Sequence, residues 1–190
     1  MDNIQYLLYE DDNGEAVGLR EVQLLDLPPL SRVPALHNLL NHEDLIVVFD
    51  AALVLTAWGD RLGLDKLEEF INSRIHESIE LVPHPIEDYD NVYDAIAEAV
   101  DIYGLSRQDP DRQVELYRKL LKLYGVCRFR GALKYALIDS NFRELLPWVK
   151  EAIGRALVHD EEYLARQLLP VLAKWDADEA ERQLPRSSLC

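Results

Sequence analysis

The sequence predicts an all-α fold, a short solenoid of antiparallel helical hairpins with about 8–10 helices. Three observations carry this. Apolar residues recur at i, i+3, i+4 and i+7 in segment after segment, with little strand-like alternation. Composition favours helix: Leu, Ala, Glu and Arg abound, and there are only 8 glycines in 190 residues. A self-similarity is also present. DLIVVFDAALVLTAWG and YDNVYDAIAEAVDIYG align at an offset of 45 residues, pairing Val47 with Val92, Ala52 with Ala97, Leu55 with Val100, Trp58 with Tyr103 and Gly59 with Gly104. A helical hairpin cannot bury its apolar side alone, so a repeated hairpin implies stacking.

The elements follow in order. Ile4, Leu7 and Leu8 start a helix or form a short strand, and Asp12-Asn13-Gly14 makes a turn. Helix is expected over Glu15–Leu25, ended by Pro28-Pro29, and again over Leu30–Leu40 with Pro34 in its first turn. Asn41 or Asp44 caps the next helix, Leu45–Trp58. After the Gly59-Asp60 turn, Asp65 and Glu68 read as a capping box opening a helix to Ile75. Pro83 and Pro85 make the following segment a loop. Helices are then expected over Asn91–Tyr103, over Pro110–Tyr124 capped by Asp109, and over Cys127–Leu137. Asn141–Val158 should bend or restart at Pro147, Asp160–Trp175 should kink at Pro170, and Asp176–Leu184 closes the fold. Residues 1–184 read as one all-α domain and 185–190 as a flexible tail.

The chain is 48% apolar with a formal net charge of −15. That field opposes nucleic acid and anionic lipid and favours a cationic protein partner. The two cysteines, Cys127 in an apolar run and Cys190 at the last position, fit a reducing cytosol better than a disulfide. No signal-like or membrane-spanning stretch is read. HExxH, paired-cysteine zinc spacing, a P-loop and GxSxG are all missing from the sequence. No catalytic residue, cofactor or metal is therefore expected. The pairs His42-Glu43, His76-Glu77 and His159-Asp160 read as helix-end features rather than iron ligands.

The candidate site is acidic. Glu87, Asp88, Asp90, Asp94, Glu98 and Asp101 occur with no intervening Lys or Arg, and Tyr89 and Tyr93 lie among them. On a helix, Asp90, Asp94, Glu98 and Asp101 fall on one stripe. Tyrosine beside carboxylate suits an arginine-rich partner. Directly afterwards, eight cations between residues 105 and 135 oppose only three acids. They either pair internally with the stripe or form a second contact surface.

The hairpin FDAALVLTAWGDRLGLDKLEEFI resembles a HEAT-like repeat of the bacterial type, matched by Ala51, Ala52, Leu55, Gly59, Asp60, Leu64 and Leu67. The second copy keeps Ala97, Val100 and Gly104 but has Leu105 in place of the aspartate, so the resemblance spans about residues 43–124. It implies a scaffold whose surface serves partners. In size, acidity and lack of catalytic motifs the chain is also similar to bacterial immunity proteins, cytosolic antidotes to polymorphic toxins. That likeness implies stoichiometric capture of a basic toxin domain such as a nuclease. A scaffold or adaptor in a larger complex is the alternative, and a lyase on a HEAT-like frame a more distant one.

Overall fold

The computed structural model describes residues 4–25, 29–77, 92–107, 109–127 and 129–183. Among them the fold is all-helical. The α-helices are α1 (Ile4–Tyr9), α2 (Leu19–Gln23), α3 (Val33–Leu39), α4 (Leu45–Ala57), α5 (Arg61–Asn72), α6 (Val92–Arg107), α7 (Pro110–Leu123), α8 (Ala132–Asp139), α9 (Leu146–Val158), α10 (Glu162–Trp175) and α11 (Ala177–Gln183). Extended pairing among the described residues is limited to two isolated bridges, Glu10 with Ala16 and Tyr124 with Cys127. No described helix is long and apolar enough to cross a membrane. The chain divides into two compact units, Met1–Gln113 and Val114–Cys190.

In the first unit α4 is the central element. It packs on α1, α2, α3, α5 and α6. Only Asp50 and Thr56 interrupt its apolar sequence, and every residue from Val48 to Ala57 is buried. A helix enclosed on all sides must be apolar all round. Both polar residues are satisfied: Thr56 Oγ1 donates to the Ala52 carbonyl at 2.7 Å, and Asp50 accepts from Tyr9. Asp44 caps the helix by accepting from the Ile46 amide, as its position suggested.

The turn after α4 corrects one expectation. α5 opens at Arg61, capped by Asp60, which accepts from the Leu62 and Gly63 amides. The Asp65–Glu68 pair thus lies inside the helix. The earlier start places Gly63 against α4, where a Cβ would come within 2.6 Å of Leu55 Cβ and 2.7 Å of the Thr56 nitrogen. Gly59 has φ +77, the left-handed geometry that ends a helix. Its repeat counterpart Gly104 does not end α6, which continues to Arg107. A Cβ at Gly104 would fall on the side-chain amide of Gln113, which donates to the Val100 carbonyl. The same residue type thus serves a turn in one copy and a packing gap in the other.

α1 resolves the open choice at the N-terminus in favour of helix. α2 is shorter than the expected Glu15–Leu25, because the chain first makes an Asp11-centred turn and passes through Gly18 at φ +102. Arg32 ties this region together. Its guanidinium is 2% exposed and donates to the carbonyls of Tyr6, Glu10 and Asp11, and lies 4.0 Å over the Tyr6 ring. It thereby satisfies the orphan carbonyls at the end of α1.

In the second unit α10 packs on α8, α9 and α11. α8 begins at Ala132, after Gly131 at φ +141, so Cys127 lies outside it, though buried. Three residues of 3-10 helix, Arg143–Leu145, precede α9, and Pro147 falls in its first turn, where a missing N–H costs nothing. α10 remains helical through Pro170, whose side is exposed. Arg155 closes the end of α7 by donating from one Nη1 to the carbonyls of Leu121, Lys122 and Tyr124, each at 3.0 Å. Lys174 does the same for α8 through the Ile138 and Ser140 carbonyls.

Candidate functional site

The two units differ sharply in charge. Met1–Gln113 holds 7 Lys and Arg against 24 Asp and Glu, a net −17, whereas Val114–Cys190 holds 13 against 11, a net +2. The acidity of the chain is therefore concentrated in its first unit. The six cations there whose side chains are described are already engaged. Arg20 meets Glu98, Arg32 meets Asp12 and backbone carbonyls, and Arg61 meets Asp65. Lys66 meets Glu69, Arg74 meets Glu77, and Arg112 bridges Asp65 and Glu68 at 2.8 and 2.6 Å. Such pairs cancel only part of a threefold excess of carboxylates.

Of the residues singled out from sequence, Glu87, Asp88, Tyr89 and Asp90 lie outside the described residues. The other four share α6 but not one surface. Tyr93 is 3% exposed and Asp94 7% exposed, both in the first turn of α6. The Tyr93 hydroxyl lies 2.6 Å from His76 Nδ1, with the two rings edge to face. Asp94 sits where the positive end of the helix dipole favours a carboxylate. Glu98 is half-buried and paired with Arg20 at 2.9 Å, and Asp101 is half-buried. Of the expected stripe of Asp90, Asp94, Glu98 and Asp101, Asp94 is thus buried, with Tyr93 beside it, where α6 packs on α4.

Sequence reasoning passed over a second acidic feature, around Tyr9. The Tyr9 hydroxyl donates to Asp50 Oδ2 at 2.5 Å, joining α1 to the middle of α4. Burial pushes the Asp50 carboxyl above its ordinary range, the Tyr9 hydrogen bond partly offsets this, and the nearby charge of Asp44 adds to it. The Tyr9 phenol is held protonated well above its usual range by burial, by its bond to Asp50 and by the charges of Asp50 and Asp44. The available signal was Asp50 itself, a lone carboxylate in an otherwise apolar helix. Asp11 behaves in the opposite sense: amides of the turn, led by Glu15, hold its exposed carboxyl below the ordinary value.

Among the described residues no three His, Cys, Asp or Glu side chains are arranged to hold a metal ion. His42 Nδ1 accepts from the Asp44 amide, so it serves the approach to α4. No protein-family model, no curated protein and no solved structure matches the chain.

Proposed function

We propose that the protein is a non-enzymatic binding module that captures a cationic protein through the acidic surface of its first unit. Its most concrete form is an immunity protein that neutralises a basic toxin domain, such as a nuclease, by stoichiometric binding. The observation that carries this reading is the segregation of charge. A net −17 over Met1–Gln113, with its described cations already paired, is a surface built to receive positive charge rather than to balance itself. The contact includes Glu98 and Asp101 on α6 together with Glu87, Asp88, Tyr89 and Asp90. Tyr93 and Asp94 act from beneath by fixing the start of that helix. On this reading α4 and α6 are the first helices of successive hairpins of a HEAT-like stack. The bond from Ser106 Oγ to the Ala57 carbonyl, which brings the C-terminal ends of α4 and α6 together, supports that arrangement.

The test is capture with the whole chain as bait, compared with a variant carrying Asp90→Lys, Glu98→Lys and Asp101→Lys. The expected result is a basic protein retained by the native chain, lost from the variant, with an association rate falling at least about tenfold between low and high salt. Capture that is unchanged by the three substitutions and by salt would show the acidic surface to be irrelevant.

A further inference from the structure

The run of cations that follows α6 in the sequence is left unused by capture of a cationic protein. It lies mainly in the second unit. There Val114–Lys150 holds 8 Lys and Arg against 3 Asp and Glu, a net +5, whereas residues 151–190 hold 5 against 8, a net −3. Within this unit α7 and α9 run side by side in the same direction. The Tyr117 ring lies 6.1 Å from that of Phe142, just ahead of α9. Arg118 meets Trp148 in the first turn of α9, and Arg155 in its last turn holds the carbonyls of Leu121, Lys122 and Tyr124. Arg118 thus stands beside Trp148, with Lys122 one helical turn further along the same face of α7.

Arg118 is the unusual member. It is half-buried: its Nε is enclosed and has no hydrogen-bond acceptor, while its Cζ lies 5.8 Å from the centroid of the Trp148 ring. A packed stem and a stacked ring hold the guanidinium in one orientation, which leaves less freedom for an anion to remove. Yet no described carboxylate pairs with Arg118 or with exposed Lys122, in a chain that carries 35 Asp and Glu. Other cations of the same unit are treated differently. Lys150, Arg155, Arg166 and Arg182 each meet a carboxylate. Arg118 and Lys122 therefore leave a guanidinium fork and an ammonium open on one face of α7.

We propose that Arg118 and Lys122, with Trp148 against the guanidinium, bind a phosphate group carried on a small molecule. A phosphate monoester brings close to two negative charges and three terminal oxygens, so the fork takes two oxygens and the ammonium a third. A carboxylate has two oxygens and one charge, and one of the two cations satisfies it. The rest of the chain limits the size of the ligand. At −15 it repels an extended polyanion, whether nucleic acid or acidic protein, while a single compact dianion meets chiefly the local +5. The site goes beyond capture of a cationic protein, which falls to the first unit and uses none of these residues.

Tryptophan fluorescence reports on the site. Trp58 donates to the Val22 carbonyl and is 9% exposed, and Trp175 is 5% exposed, so half-buried Trp148 is the indole beside an anion on Arg118. The whole chain is titrated with inorganic phosphate while NaCl holds the ionic strength constant. The expected result is a saturable change with a dissociation constant on the order of 1 mM, matched by calorimetry. Arg118→Gln should weaken binding at least about tenfold and Lys122→Gln at least about threefold, with helical circular dichroism unchanged. Lys134→Gln, on α8, should have no effect. Lys122 is exposed, so its variant keeps the test open should Arg118→Gln disturb the fold. Trp148→Phe should abolish the fluorescence change and retain the calorimetric heat. A sugar phosphate and a nucleoside monophosphate distinguish the carriers: each should bind at least as tightly as inorganic phosphate, and the tighter one names the carrier class. The proposal is overturned by acetate binding as tightly as phosphate, by a response indifferent to Arg118→Gln and Lys122→Gln, or by monoesters weaker than inorganic phosphate. No saturable response up to about 50 mM phosphate also overturns it. So does a single-stranded oligonucleotide that binds more tightly than the monophosphate, since the ligand would then be nucleic acid.

Discussion

Removing the hydroxyl of Tyr9 tests how the first unit tolerates a carboxylate inside its central helix. Asp50 is 7% exposed, and its described stabiliser is the Tyr9 hydroxyl at 2.5 Å. Tyr9→Phe keeps the ring and its packing but leaves that carboxylate without the donor. A hydrogen bond to a charged group contributes about 1.5–3 kcal/mol, so the expected loss at neutral pH is about 2 kcal/mol. For a chain of this size that corresponds to roughly 4–8 °C in melting temperature. Asp50→Asn keeps an acceptor for Tyr9 and removes the buried charge, so it should cost less than Tyr9→Phe. The pH dependence gives the sharper discrimination. The Asp50 carboxyl is raised on folding, so its contribution is complete below the ordinary carboxylate range and is lost as pH rises through that range toward the folded value. Asp50→Asn should therefore gain on the native protein between about pH 4 and pH 7. Tyr9→Phe should be less damaging at pH 4, where a protonated Asp50 needs the donor less. Asp11 and Asp176 shift in the opposite direction, but both are present in every variant and cancel in the differences. Thermal melts by circular dichroism at both pH values suffice. An equal cost of Tyr9→Phe at pH 4 and pH 7, or a larger cost for Asp50→Asn at pH 7, would refute the reasoning.

Two further substitutions probe the frames of the two units. Gly63→Ala drives a methyl into Leu55 and the backbone of Thr56, atoms that cannot swing aside, and should cost about 3 kcal/mol or more by urea denaturation followed by helical signal. Arg155→Met keeps the stem but withdraws three carbonyl bonds at the end of α7, and should cost about 2–4 kcal/mol. Amide exchange should then rise at Tyr124–Cys127 before it rises in α4, which would fail if both regions exchanged together.

Helices were legible where the apolar period was clear and the cap was a single residue. Leu45–Ala57 follows from its composition and from Asp44 alone. Its start is a local matter, decided within three residues of chain. The errors arose where local signals competed. Asp65 with Glu68 has the spacing of a capping box, but Asp60 stands earlier and its carboxylate reaches two amides, so the helix begins there and Arg112 takes up Asp65 and Glu68 instead. Gly104 copies Gly59 in sequence, yet its environment is set by Gln113, nine residues on, and no periodicity contains that. The burial of Asp94 within the acidic stripe was hidden for a related reason. Helical spacing places side chains on a face, but only the packing of α6 on α4 decides which faces are covered, and Tyr93 and Asp94 went inward. The charge asymmetry was present in the letters all along. Its significance depends on the boundary near Gln113, which the sequence reading did not draw.

That boundary also changes what the acidity is for. A solubilising charge need not be segregated, since carboxylates spread over the chain would serve equally well. Here the first unit carries 24 acids against 7 cations, and the second is close to balance. Self-repulsion within one compact unit costs stability, and the first unit offsets it by burying α4 from Val48 to Ala57. The cost is thus accepted in one half of the chain and avoided in the other. On the proposed reading the charged half would attract a cationic protein over long range. If that reading holds, raising NaCl should slow capture, a response that an acidic surface acting only as a solubility device would not give.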